Sequence, residues 1–229
     1  MLPTGPRLRS YALWLGFLQI AIFCFGPATA APPQIGIPFG PYQVVALGDS
    51  LTAGYGLPLA DGFVPRLQAA LAAAGLPTNL QNAGVSGDTA TDGLARLDWS
   101  VPDGTQAVIL ELGANDMLRG IKPEVTRQAL DEILKRVSGR RIVVLLCGMR
   151  AAPNLGPDYG QAFERIYPDL AEKYHVPLYP FFLDGVAGNL SLLQRDGLHP
   201  NAEGVKVIVE RMVPQVKELL LHTLIERPM

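Results

Sequence analysis

Val44-Val45-Ala46-Leu47-Gly48-Asp49-Ser50-Leu51-Thr52-Ala53-Gly54-Tyr55-Gly56 joins an unbroken apolar run to a tight turn bounded by glycines. Four consecutive apolar residues without polar alternation read as a strand buried on both faces, the pattern of a parallel sheet covered by helices. The serine then stands at the carboxyl end of that strand, the edge at which open α/β sheets bind their ligands.

Working outward, strand and helix patterns alternate. Apolar runs at Ala107–Glu111 and Ile142–Cys147 read as further buried strands, with weaker ones at Thr78–Asn82 and Val176–Tyr179. Between them, Phe63, Leu67, Ala70, Leu71 and Ala74 make a helical stripe stopped by Gly75. Val125, Ala129, Ile133 and Val137 make another, opened at Pro123-Glu124 and closed by Gly139. Phe163, Ile166, Leu170 and Tyr174 suggest a third, which Pro168 kinks. The last runs through Val205, Ile208, Val209, Met212, Val216 and Leu219, capped by Asn201 and bent or divided at Pro214. Such alternation builds right-handed βαβ units. The expected fold is a three-layer α/β/α domain with a flavodoxin-like parallel five-stranded sheet in the order 2-1-3-4-5. Its switch point falls beside the first strand, at Ser50.

The 229 residues, 48% of them hydrophobic, suit one domain with a substantial core. A net charge of -2 gives no basic surface for nucleic acid. Residues 1–30 read as a signal peptide. Arg7 and Arg9 precede a mostly apolar run from Tyr11 to Phe25, and Ala28-Thr29-Ala30 supplies a cleavage pattern. The rival reading is an uncleaved anchor, for which the run is short. A lipid on Cys24 is disfavoured because no small residue stands next to it. Residues 31–41 form a proline-rich linker, 42–222 the domain and 223–229 a tail. The expected setting is periplasmic or secreted, with no permanent membrane span. Losing the two leader arginines moves the charge from -2 to -4 and leaves Cys147 as the sole thiol, too apolar in setting for anything but a structural role.

A serine hydroxyl needs a base to become a nucleophile. Of the three histidines, His199 alone lies in a loop rich in turn residues, Asp196-Gly197-Leu198-His199-Pro200. Asp196, three residues earlier across a glycine turn, can reach the ring and hold its tautomer. Taken alone, Asp196 could equally cap a turn. Acyl transfer also needs oxyanion donors. Two segments could supply them: Asn82-Ala83-Gly84-Val85-Ser86-Gly87, where the Gly84 N–H could approach a substrate, and Gly113-Ala114-Asn115-Asp116, where Asn115 offers an amide. Each is also a common Gly/Asn turn. Asp49 and Asp116 read as loop-holding residues. The histidines are too few and too far apart for zinc, and no acidic cluster suggests calcium, so no metal or cofactor is expected.

Gly48-Asp49-Ser50-Leu51, Gly84, Gly113-x-Asn115-Asp116 and Asp196-x-x-His199 resemble, in order, the four blocks of the SGNH, or GDSL-type, hydrolases. The longer runs around them are similar to bacterial periplasmic enzymes described as thioesterase, lysophospholipase and arylesterase. The resemblance implies Ser50 as nucleophile, His199 as base and Asp196 as its orienting carboxylate. It implies the Ser50 N–H, the Gly84 N–H and the Asn115 side chain as oxyanion donors. Ala114 stands where close relatives often carry a second glycine. No Gly-x-Ser-x-Gly occurs, and Ser86, in Gly84-Val85-Ser86-Gly87-Asp88, is a decoy. The implied substrate is a small-molecule or lipid-type acyl ester or thioester. A carbohydrate O-deacetylase using the same triad, or a non-catalytic binding module, would present the same blocks. Residues 114–121 and 149–160 are the expected pocket walls.

Overall fold

The computed structural model describes residues 41–225. The leader expected at 1–30, nearly all of the linker at 31–41 and the end of the tail lie outside them. Five parallel strands form one sheet in the order β2-β1-β3-β4-β5, as expected: β1 Tyr42–Gly48, β2 Thr78–Gly84, β3 Ala107–Glu111, β4 Val143–Cys147 and β5 Leu178–Tyr179. Val44 to Leu47 and Ala107 to Leu110 are almost wholly buried, which is why their sequences do not alternate. The edge strand β2 is mixed instead, with Thr78, Leu80 and Ala83 buried and Asn79, Gln81 and Asn82 exposed.

The helices are α1 Ser50–Ala53, α2 Phe63–Ala73, α3 Ala90–Ala95, α4 Leu97–Ser100, α5 Ala114–Leu118, α6 Pro123–Gly139, α7 Pro157–Glu164, α8 Ile166–Tyr174 and α9 Ala202–Ile225. α2 packs with α9, and α6 packs with α3 and α8. Leu67, Leu71, Met212 and Val216 are buried in the first group, and Leu130, Ile133, Leu134, Ile166 and Leu170 in the second. Each such side chain contributes about 1.5–3 kcal/mol of apolar burial. No helix among the described residues is long and apolar enough to cross a membrane.

Two expectations need correction. The stripe through Phe163 and Tyr174 is two helices, divided at Arg165 and not at Pro168. Pro168 has no N–H for the Glu164 carbonyl four residues earlier, so the ladder lapses one turn before the ring, and Pro168 itself sits harmlessly in the first turn of α8. Of the two readings of Pro214, division is the one overturned: α9 runs unbroken through it to Ile225. The Asn201 side chain caps it, accepting from the Glu203 and Gly204 N–H groups at 3.0 Å each.

Candidate active site

The carboxyl ends of β1, β2 and β3 gather the polar segments on one edge. Gly48 closes β1, Asp49 caps α1 by accepting from the Leu51 N–H at 3.0 Å, and Ser50 is the first residue of that single-turn helix. An N–H at this position has no partner within the helix. A side chain at Gly48 would collide with Thr52 and Glu111, so the strand end must be glycine.

His199 reaches Ser50 from the loop before α9. An antiparallel bridge between Leu193 and Pro200 and a hydrogen bond from the Gln194 N–H to the His199 carbonyl, 2.7 Å, tie that loop together. The Gln194 amide also donates to the Tyr55 carbonyl at 2.7 Å, joining the histidine loop to the serine loop. His199 Nε2 lies 2.9 Å from Ser50 Oγ and Nδ1 lies 2.6 Å from Asp196 Oδ2. Asp196 Oδ1 accepts from the Leu198 and His199 N–H groups at 2.9 and 3.0 Å. The Leu198 backbone bond above all, helped by His199, holds the Asp196 carboxyl down at about 2. Asp196 is therefore an anion at neutral pH, and it fixes Nδ1–H as the tautomer that leaves Nε2 free to take the serine proton. The Tyr55 ring packs against the His199 ring, centroids 4.7 Å apart and planes tilted by 40°.

Asn115 arrives on α5, whose start is set by Gly113 at φ 117°. Its Nδ2 donates to Asp49 Oδ2 at 3.1 Å and to the Asp88 carbonyl at 3.0 Å, so both amide protons have acceptors. Gly84 departs from expectation. Its N–H donates to the Asn82 side chain at 2.9 Å, and a side chain there would strike the backbone of Asp49 and Ala53. Its glycine identity thus reflects close packing of β2 on α1, and its N–H is already engaged. Three residues on, Gly87 has φ 92° and no acceptor for its N–H among the described residues. Gly87 adjoins Asp88, whose carbonyl meets Asn115, and its own carbonyl accepts from Arg119 at 2.6 Å. The sequence offered two glycines in one segment and nothing to rank them.

Asp49 and Asp116 do hold loops. Asp116 accepts from the Ala90 N–H at 2.9 Å and from Thr126 at 2.8 Å. Sequence reasoning missed two other residues. Glu111, fully buried at the end of β3, accepts from the Asp49 N–H at 3.3 Å and from Thr52 at 2.8 Å. Arg96, also buried, donates to Asp88 at 2.6 Å, Ser100 at 2.9 Å and the Gly48 carbonyl at 2.8 Å. Burial pushes the Asp49 carboxyl up to about 6, against the pull of the Leu51 N–H. Burial, with the Asp49 charge beside it, pushes Glu111 well above the carboxylate range. Ser86 is exposed and bonds to no histidine, and Cys147 is a buried thiol. His175 and His222 line a cavity of about 1250 Å³ at the opposite, amino edge of the sheet, which includes none of the residues around Ser50.

With that geometry in place, residues 46–207 match the GDSL-like lipase/acylhydrolase family. The chain belongs to this family. It is 39% identical over 178 residues to Esterase TesA of Pseudomonas aeruginosa, spanning 77% of this chain and 89% of that one. It is 38% identical over 180 residues to "Thioesterase 1/protease 1/lysophospholipase L1" of Escherichia coli, spanning 78% and 85%. Among solved structures it resembles AlinE4, an SGNH-hydrolase family esterase, with a TM-score of 0.67 and 44% identity over 78% of this chain and 96% of that one.

Proposed function

We propose that the protein is a serine esterase that cleaves short- to medium-chain acyl esters or thioesters through an acyl-enzyme on Ser50. The observation that carries this reading is the hydrogen-bonded line from Asp196 through His199 to Ser50, 2.6 and 2.9 Å long. Ser50 Oγ attacks the acyl carbonyl as its proton passes to His199 Nε2. The Asp196 carboxylate stabilises the imidazolium so formed. His199 returns the proton to the leaving oxygen or sulfur as the tetrahedral intermediate collapses. Water then repeats the sequence on the acyl-serine and releases the acid.

Donors for the oxyanion are the Ser50 N–H, the Asn115 amide and, in place of Gly84, the Gly87 N–H. Asn115 serves by turning one proton from the Asp88 carbonyl to the substrate while Asp49 keeps the other. Support for a lipid-type acyl group comes from the rim. Tyr55, Leu59, Val85, Leu118, Leu190 and Leu198 are exposed, and all stand on segments that follow the carboxyl ends of strands or flank His199. Residues 114–121 and 149–160 are the proposed pocket walls, joined by the Tyr159 hydroxyl donating to the Ile121 carbonyl at 2.8 Å. Lysophospholipid and thioester cleavage, which the name of the E. coli relative carries, are candidates for this chain. The leader at 1–30 supports export to the periplasm or beyond, with Ala31 as the mature N-terminus.

Hydrolysis of p-nitrophenyl esters from acetate to dodecanoate tests the reading. Activity extending beyond acetate and abolished in Ser50→Ala is expected. Turnover of sugar acetates with no longer-chain activity would replace it with the O-deacetylase reading.

A further inference from the structure

Beside Ser50 lie two carboxyls, Asp49, which holds Asn115, and Glu111, which the proposed steps leave without a role. Asp49 and Glu111 are both 0% exposed and adjoin one another: the Asp49 N–H donates to Glu111 Oε2 at 3.3 Å, and each carboxyl feels the other's charge. Two adjacent buried carboxylate charges are costly, so one of the pair carries a proton. The partners decide which. Asp49 turns its oxygens to the Leu51 N–H and the Asn115 amide, both donors that favour an anion. Glu111 has weaker claims on its charge: Oε2 accepts a neutral hydroxyl at 2.8 Å and a long N–H bond at 3.3 Å, and Oε1 has no protein donor. The surrounding groups are Thr52 on α1, the Cys147 thiol paired with Glu111 across β3 and β4, the buried Tyr167 phenol on α8, and His199 near Asp49. None offers Glu111 a cation in contact.

We propose that Glu111 is a positioning residue of the oxyanion site: as a neutral acid it donates to the Asp49 carboxylate, which then holds one proton of Asn115 and leaves the other for the substrate. The inference rests on the reading of Ser50 as nucleophile and Asn115 as oxyanion donor. It explains why a fully buried acid ends β3, a strand that is otherwise apolar. Ionised, Glu111 would repel Asp49 away from Asn115. An amide could replace the acid without loss, because it donates to Asp49 and accepts from Thr52 in the same shape.

The test compares Glu111→Gln, Glu111→Ala, Asn115→Ala and the Glu111→Ala/Asn115→Ala double variant. Ester hydrolysis is read as separate kcat and KM, with infrared spectra of wild type and Glu111→Gln at neutral pH. The expected spectrum shows a protonated-carboxylic-acid band in wild type that Glu111→Gln lacks. Glu111→Gln should keep kcat within about 2-fold, the scatter of independent sites. Glu111→Ala should lower kcat ~10–10²-fold at nearly constant KM, inside the ~10²–10³ of a lost oxyanion donor. The double variant should be no slower than Asn115→Ala by more than about 2-fold, since both losses act through one amide. A Glu111→Gln variant as impaired as Glu111→Ala, a missing band, or losses that multiply in the double variant would each overturn the proposal. If Glu111→Ala does not fold, Glu111→Gln and the band decide. A wild type with no Ser50-dependent hydrolysis would remove the functional reading itself, an outcome distinct from an active enzyme indifferent to Glu111.

Discussion

Replacing Arg96 with methionine should destabilise the domain far more than removing any ion pair on its surface. The guanidinium joins three segments: Asp88 on the loop after β2, Ser100 at the end of α4, and the Gly48 carbonyl two residues before Ser50. The side chains of Arg96 and Asp88 are 8% and 14% exposed. Methionine fills similar volume but leaves the Asp88 carboxylate buried without its cation and strips Gly48 of one of two donors, the other being the Val85 N–H at 3.0 Å. Breaking a buried pair from one side costs about 3–5 kcal/mol. For a domain of this size that is a fall in Tm of roughly 6–20 °C. Arg136→Met, which breaks a pair with the largely exposed Asp98, should cost less than about 1 kcal/mol. Urea denaturation followed by circular dichroism measures both. Arg96→Lys should recover only part of the loss, because an ammonium cannot form the three-way fork. A loss at Arg96 no greater than at Arg136 would refute the argument that burial makes this ion pair structural.

Three other expectations follow from the same geometry. Ser50→Ala and His199→Ala should each lower kcat by ~10⁴ or more and together hardly more than either alone; multiplied losses would break the shared mechanism. Gly113→Ala forces a side chain against the Tyr167 hydroxyl at a φ of 117°, so it should cost about 1–3 kcal/mol and lower kcat by displacing Asn115, both read from urea melts and steady-state kinetics. Asp49, raised to about 6 in the fold from 3.8, binds its proton more tightly folded than unfolded, so stability should fall as pH rises from about 4 through 6. Asp196, lowered to about 2, acts with the opposite sign, its contribution present above about 4 and lost as pH falls through 2. Denaturation midpoints should therefore fall less steeply between about 4 and 6 in Asp49→Asn, with the buried Glu111 still contributing its own decline, while the acid-side loss from Asp196 is kept.

The central strands were legible because burial on both faces leaves an unbroken apolar run, and Ala107–Glu111 was bounded to the residue. The edge strand β2 was weaker because half its residues face water. The sequence also brought Ser50, Asp196 and His199 forward, since a serine after a buried strand and Asp-x-x-His in a turn are local patterns. What it could not carry were contacts between distant positions. Glu111 meets Asp49 across 62 residues and Arg96 meets Gly48 across 48, and neither has a local pattern to announce it. Gly84 and Gly87 both lack a Cβ, so the segment alone does not rank them. What separates them is the Asn82 side chain, which takes the Gly84 N–H. The break at Arg165 follows from a missing hydrogen bond upstream of Pro168, an effect displaced from the residue that causes it.

The most direct test of the central claim is covalent. A fluorophosphonate reacts with an activated serine and leaves a stable adduct that intact-mass measurement and peptide mapping can locate. The account predicts one adduct per chain, on Ser50, absent in Ser50→Ala and formed far more slowly in His199→Ala. An adduct on Ser86 or another residue, or a wild type as unreactive as Ser50→Ala, would contradict it.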